Sequence, residues 1–335
     1  MTGPTRSDDV KSLQADLRAL GYLYAGIDGV AGQGTERAIR ALQWDLLNAT
    51  GASTGSDGPA AVAVGSYNQG RVAAVTGSCD AGTAACIAAM IADPRFPKLP
   101  STDNAAAENA RIPALIDSLD ALKAPAPFLR AIVQQESNGR HWREPSSGDS
   151  DSFVLVGLDT NDAANPVRIT SRGYGVGQAT LFHHPPRAED LAVITDVATN
   201  LRAASVELRA KFDRFVVSSN PAERADDRAA EIGNGALRPC RYPAGDARYM
   251  KDCVACAHAA GQRDIVADQT PVYPGATTTY HATAYYKTAS YAGVPDRAGF
   301  GCDWPYAVRR YNGAGINSYH YQVKVLIYLR GLPAL

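Results

Sequence analysis

Residues 10–22 read VKSLQADLRALGY and residues 26–43 read GIDGVAGQGTERAIRALQ, two amphipathic stretches around a glycine-rich turn. In the first, Val10, Leu13, Leu17 and Leu20 recur at helical spacing and give one apolar face. Gly21 follows where a helix-terminating glycine belongs. Gly26, Gly29, Gly32 and Gly34 then mark successive turns. Thr35 is placed to cap a second helix that carries Ala38, Ile39, Leu42 and Leu46 inward. Residues 1–50 thus read as a small helical module, and the fold class as mainly α.

Outward from this module, residues 51–60 (GASTGSDGPA) have the composition of a flexible linker. Residues 61–112 are Ala-rich and read as a lead-in of undetermined structure, with Pro94, Pro97 and Pro100 breaking any helix. From 113 to 335 the chain reads as a second, largely helical domain. Within it, Leu191, Ile194, Val197, Leu201, Ala204, Leu208 and Phe212 predict one long amphipathic helix over 187–215. Residues 319–330 read as a buried terminal helix. Residues 233–300, rich in Gly, Pro, Tyr and Cys, read as an irregular insertion. Its Tyr273, Tyr280, Tyr285, Tyr286 and Tyr291 are assigned to packing rather than to sugar stacking.

The 335 residues are 45% hydrophobic and 20% charged, enough to bury a sizeable core in about two domains. Lys and Arg number 33 against 34 Asp and Glu, so no basic excess exists to neutralise phosphates, and a nucleic-acid partner is not expected. No apolar run approaches the ~20 residues that span a bilayer, so no membrane partner is expected either. The first residues, MTGPTRSDD, lack the apolar core of a secretory signal.

Cys79, Cys86, Cys240, Cys253, Cys256 and Cys302 make an even set, which points to disulfides. Zinc competes, on Cys253-Val-Ala-Cys256 with Cys240 and Cys302, and reduced thiols are the third reading. No metal site and no cofactor are assigned. The adjacent His183 and His184 precede Pro185 and Pro186 and read as a loop pair.

Chemistry concentrates at PFLRAIVQQESN, residues 127–138. Leu129, Ile132 and Val133 set an inward stripe, and seven residues beyond Leu129 a helix returns to within about 20° of the same line, at Glu136. A carboxyl ending an apolar face is partly desolvated, which favours its protonated form. That is what a glycosidic oxygen requires of a general acid. Further on, RGYGVGQ at 172–178 supplies close-approach glycines and an amide, and RYNGAG at 310–315 a Tyr-Asn pair before a glycine turn.

Two resemblances follow from these strings. Residues 8–48, with VxxLQxxLxxLGY, GIDG and GxGTxxAIxxLQ, resemble the peptidoglycan-binding repeat of cell-wall hydrolases. That family implies three short helices and a shallow groove for wall glycopeptide. Glu-Ser ending an apolar helix, then GxGxxQ, then YNGxG before a terminal helix resembles the lysozyme-like superfamily, especially soluble lytic transglycosylases and goose-type lysozymes. It covers about 125–215 and 304–330. The resemblance implies that Glu136 is the catalytic acid/base and that Ser137 supports its loop. It also implies that Gly175 and Gln178 line the sugar groove, Tyr311 hydrogen-bonds near Glu136 and Asn312 holds substrate. Gly177 stands where the pattern has Met, and Arg310 where it has Ala.

An inverting lysozyme needs a second carboxylate roughly 6.5–9.5 Å from the acid. Asp149, Asp151, Asp159 and Asp162 are the candidates, but none stands close before the GxG, where Thr170 and Ser171 lie. The expectation is therefore cleavage of the β-1,4 bond between N-acetylmuramic acid and N-acetylglucosamine by a lytic transglycosylase, with a hydrolytic muramidase as the alternative. From another class, a non-catalytic wall-binding phage structural protein competes. A wall substrate without a secretory signal suggests synthesis in the cytoplasm and action in the periplasm. Holin release would make the chain an endolysin. Injection by a type VI-like machine would make it an antibacterial effector with a cognate immunity protein.

Overall fold

In a computed structural model, the protein is described over residues 8–120, 122–217, 302–313 and 316–329, with 240, 242–243, 245–251, 253 and 331. The fold is mainly α, with one three-stranded antiparallel sheet among the described residues. Helices α1 (Asp8–Ala19), α2 (Gln33–Asn48), α3 (Ala81–Ala92), α4 (Ala105–Ala110), α5 (Ile112–Ser118) and α6 (Ala126–Ser137) precede the sheet of β1 (Val156–Asp159), β2 (Ser171–Tyr174) and β3 (Ala179–Leu181). After it come α7 (Leu191–Thr195), α8 (Val197–Lys211), α9 (Trp304–Tyr311) and α10 (Ile316–Leu329). No helix of the described residues is long and apolar enough to cross a membrane.

Contacts divide the chain into two compact units, Met1–Ile112 with Arg140–Asn200, and Pro113–Gly139 with Leu201–Leu335. The division breaks at 112 as the sequence reading has it, but not at 50 or 60, and it returns residues 140–200 to the first unit, because the apolar face of the N-terminal module is covered by later sequence. Leu17, Leu20, Leu42 and Leu46 share one core with Val64, Met90, Phe96 and Ile169. The stretch 51–60, read from composition as a flexible linker, is bonded into this unit. The Thr54 N–H donates to the Phe182 carbonyl at 2.8 Å, and the Asp57 carboxylate accepts from the Phe182 N–H at 2.7 Å. Short polar side chains there close turns on neighbouring backbone instead of on water.

A buried ion cluster ties residues 143–151 to the module. Arg18, fully buried, meets Asp151 at 2.6 Å, and Arg143 meets the same carboxylate at 2.7 Å. Arg18 also donates to the carbonyls of Leu23, Tyr24 and Ala25, which fixes the loop after α1. In the sheet, Val156 pairs with Tyr174 and Arg172 with Leu181. Its inner residues Val156 and Tyr174 pack with Trp142, Val154 and Ile194.

The second unit is built on α6, α9 and α10. Phe128 and Ile132 of α6 meet Trp304 and Val308 of α9 and Val325 and Leu326 of α10. The Phe212 and Trp304 rings lie 4.4 Å apart. The long helix expected over 187–215 is interrupted. Asp196 adopts an extended backbone (ψ 116°), and its carboxylate accepts from the Thr199 N–H at 2.7 Å, ending α7 and opening α8. An Asp favours such a cap over a helix interior.

The cysteine expectation is also corrected. No disulfide joins the described cysteines: Cys79, Cys86 and Cys240 are free thiols, and Cys253 and Cys302 sit in the second unit's core. Cys86 is held instead as a buried α3 residue whose thiol faces the Tyr67 carbonyl at 3.4 Å. Cys256, like Tyr273, Tyr280, Tyr285, Tyr286 and Tyr291, lies outside the described residues.

Candidate functional site

Helix α6 begins at Ala126, with Pro127 in its first turn where a missing N–H costs nothing. It ends on Asn138 in the left-handed conformation (φ 55°), one residue beyond Ser137. Apolar Phe128, Leu129, Ile132 and Val133 are buried, and Glu136 follows, half-buried at the helix end. The Tyr321 hydroxyl, brought by α10, donates to Glu136 Oε1 at 2.6 Å. Tyr311, at the end of α9, stacks on Tyr321 with ring centroids 6.3 Å apart and planes 12° from parallel. Burial, reinforced by the Glu136 charge, pushes both phenols well above their ordinary pKa, so Tyr321 keeps the proton it donates. The Ser137 hydroxyl donates to the Val133 carbonyl at 2.9 Å, which steadies the last turn. Asn312 caps α9 and is exposed. Arg310 lays its guanidinium over the Phe215 ring at 4.6 Å.

Tyr321 escaped the sequence reading. It sits in an apolar-looking terminal helix, and no local spacing connects it to a glutamate 185 residues earlier. A tyrosine inside a stripe of aliphatic residues is the one available signal, because its hydroxyl must find a partner once buried.

The GxGxxQ segment forms the tight turn between β2 and β3, in the first unit. Gly175 has φ +69°, and a Cβ there would come within 2.4 Å of the His141 ring. The Gln178 amide donates to the Gly175 carbonyl at 2.7 Å, within its own turn. The Asn200 side chain, also unforeseen, accepts from the Gly177 N–H at 2.7 Å and donates to the carbonyls of Tyr174 and Val193. The four aspartates are likewise engaged inside this unit. Asp149 accepts from the Ile27 and Asp151 N–H groups, and Asp151 holds Arg18 and Arg143. Asp159 accepts from the Ser171 hydroxyl, and Asp162 binds Asn165 and Arg168. Among the described residues no three His, Cys, Asp or Glu side chains converge in an arrangement that could hold a metal.

His141 carries a pH expectation. Its Nε2 donates to the Ile194 carbonyl at 2.9 Å and its Nδ1 accepts from the Val176 N–H at 3.2 Å, which requires the neutral ring. Burial lowers its pKa from 6.5 to about 4, and desolvation of the buried ring nitrogens lowers His184 as well. Between those values the unfolded chain binds protons that the folded chain refuses. Stability is therefore complete above about pH 6.5 and falls as pH drops toward about 4. For His141 alone the loss reaches about 3 kcal/mol. The lowered carboxyls of Asp57 and Asp190 act only below this window, and raised Asp45 and Asp151 oppose the trend at its acid end. Urea unfolding at about pH 7 and about pH 4.5 checks the slope, and His141→Asn should reduce it, with His184 keeping the remainder.

The module's recurrent glutamines are structural too. Gln14 donates to Asp28 at 2.9 Å and to Thr35 at 3.0 Å and accepts from the Gly29 N–H at 2.8 Å, joining α1, the glycine turn and α2. Gln43 does the same for residues 76–83, accepting from the Thr76 N–H at 2.8 Å and donating to the Ser78 carbonyl at 2.9 Å. No curated protein and no solved structure matches the chain significantly. Residues 6–52 match the family described as "Putative peptidoglycan binding domain", and the chain therefore carries a peptidoglycan-binding domain at its N-terminal end.

Proposed function

We propose that this peptidoglycan-binding protein cleaves the glycan strand it binds, at the β-1,4 bond between N-acetylmuramic acid and N-acetylglucosamine, with Glu136 as general acid and then base. The observation that carries the reading is the half-buried Glu136 carboxyl, held at 2.6 Å by the Tyr321 phenol at the end of an apolar helix. Such a hold fixes the carboxyl's rotamer, and a fixed proton donor is what general acid catalysis requires. The transglycosylase form is favoured because Asp149, Asp151, Asp159 and Asp162 are all engaged in bonds of the first unit. In that form the muramic 6-hydroxyl attacks the anomeric carbon as Glu136 protonates the leaving oxygen. The carboxylate then takes the hydroxyl's proton, and a 1,6-anhydro end results. Mass spectrometry of muropeptides released from purified walls tests this: anhydro ends support it, and reducing ends indicate a hydrolase. An absence of any release favours the non-catalytic wall-binding reading, to which the domain at 6–52 already lends support.

Tyr321→Phe removes the hydroxyl and keeps the ring that stacks on Tyr311. The carboxyl then loses the bond that fixes its rotamer, and a misplaced proton donor should slow initial clearance by up to about a hundredfold. Wall binding should not change.

A further inference from the structure

A groove of about 670 Å³ runs along the exposed side of α2, entirely within the first unit. Its floor is apolar, made by Ala38, Ala41 and Ile169. One side belongs to the module: Tyr24 stands at the lip, 66% exposed, and Arg37 and Arg40 line the rim. The opposite side is Leu158 of β1 with Thr160, Pro166 and Val167 of the β1–β2 connection, all outside the family match.

Both sides are held rigidly. The Tyr24 carbonyl accepts from Arg18 at 3.2 Å and from Arg143 at 3.3 Å, and both arginines are anchored on Asp151. A large aromatic ring left in water on a clamped backbone is a pre-ordered contact surface. Across the groove, Asp162 organises its loop through Asn165 and Arg168, and the Arg168 guanidinium lies over the Trp44 ring at 5.3 Å. Arg40 pairs with Glu36 at 2.9 Å, whereas Arg37 makes no ion pair among the described residues.

We infer that this groove takes the acidic peptide stem of peptidoglycan, with Tyr24 and Arg37 on the module side and Pro166 and Val167 facing them. The inference rests on the peptidoglycan-binding reading and deepens it, assigning recognition to the peptide rather than to the sugars. Glycan strands present hydroxyls and acetamides, which need many neutral hydrogen-bonding side chains, and the groove lining offers few. Peptide stems present alanine methyls and free carboxylates, which suit an apolar floor below an exposed guanidinium.

Calorimetry of the full chain with soluble stem tetrapeptide, and separately with peptide-free glycan strands, tests the assignment, with cosedimentation on whole sacculi alongside. The expected result is binding of the tetrapeptide that weakens with salt and falls about tenfold or more in Arg37→Glu and in Pro166→Glu. Both positions are exposed, and circular dichroism confirms folding of each variant. Sedimentation with sacculi alongside binding of the glycan but not the tetrapeptide overturns the inference and leaves the domain's ligand standing. Tetrapeptide binding unchanged in both variants overturns the groove as its site. Failure to sediment with sacculi overturns the peptidoglycan reading itself.

Discussion

Glu136→Gln is expected to slow the clearance of cell-wall suspensions by about 10²–10⁴-fold, the usual worth of a positioned proton donor. The substitution is nearly isosteric, and the new amide oxygen can still accept from the Tyr321 hydroxyl that now stands 2.6 Å from Oε1. Packing around Phe128, Ile132 and Trp304 is untouched, so the variant should fold as the parent does. What is lost is the titratable proton: an amide can neither protonate a glycosidic oxygen nor take a proton back from the 6-hydroxyl. Wall binding should persist, since the peptidoglycan-binding domain at 6–52 lies in the other unit. Turbidity assays paired with cosedimentation read the two properties separately. Clearance equal to the parent's would remove Glu136 from the mechanism.

Asp151→Ala is expected to destabilise the first unit by about 3–5 kcal/mol, the range for breaking a buried ion pair from one side. Arg18 is fully buried 2.6 Å from Asp151, and Arg143 lies 2.7 Å from the same carboxylate. Without the carboxylate, the Arg18 guanidinium keeps its three backbone carbonyl partners, Leu23, Tyr24 and Ala25, but loses its counter-charge. The exposed Glu36–Arg40 pair at 2.9 Å is the comparison: its removal should cost under about 1 kcal/mol, because water and salt already screen it. Differential scanning calorimetry of the two variants should show a drop of roughly 6–20 °C for the first and little for the second. Equal small shifts would mean that the buried cluster contributes no more than a surface pair. Since Arg18 also fixes the loop bearing Tyr24, Asp151→Ala should weaken stem-peptide binding as well.

The helices at 8–19, 33–48 and 126–137 were legible because their signals are local. Apolar residues three and four apart, a glycine at a helix end and a proline in a first turn act within one or two turns of chain. The same locality put Glu136 at the end of an apolar face. Locality also explains the errors. Residues 51–60 have linker composition, yet Asp57 bonds to Phe182 and His183, more than a hundred residues away in sequence. The periodicity over 187–215 is continuous, but the Asp196 cap interrupts the helix it predicts. An even cysteine count says nothing of whether sulfurs meet, and Cys79 and Cys86 do not.

From its order of residues alone, this protein is a mainly helical chain that opens with a peptidoglycan-binding domain, because helix periodicity and the glycine turn specify that domain within some forty residues. Tertiary structure decided which acids are engaged and which sites are built. Asp149 is claimed by a backbone N–H 122 residues away, and Glu136 by a phenol 185 residues away. The wall of residues 158–169 faces α2 only once the core around Leu42 and Ile169 has closed. Such pairings depend on which distant surfaces a fold buries together, and burial is a property of the assembled core rather than of any short run of sequence.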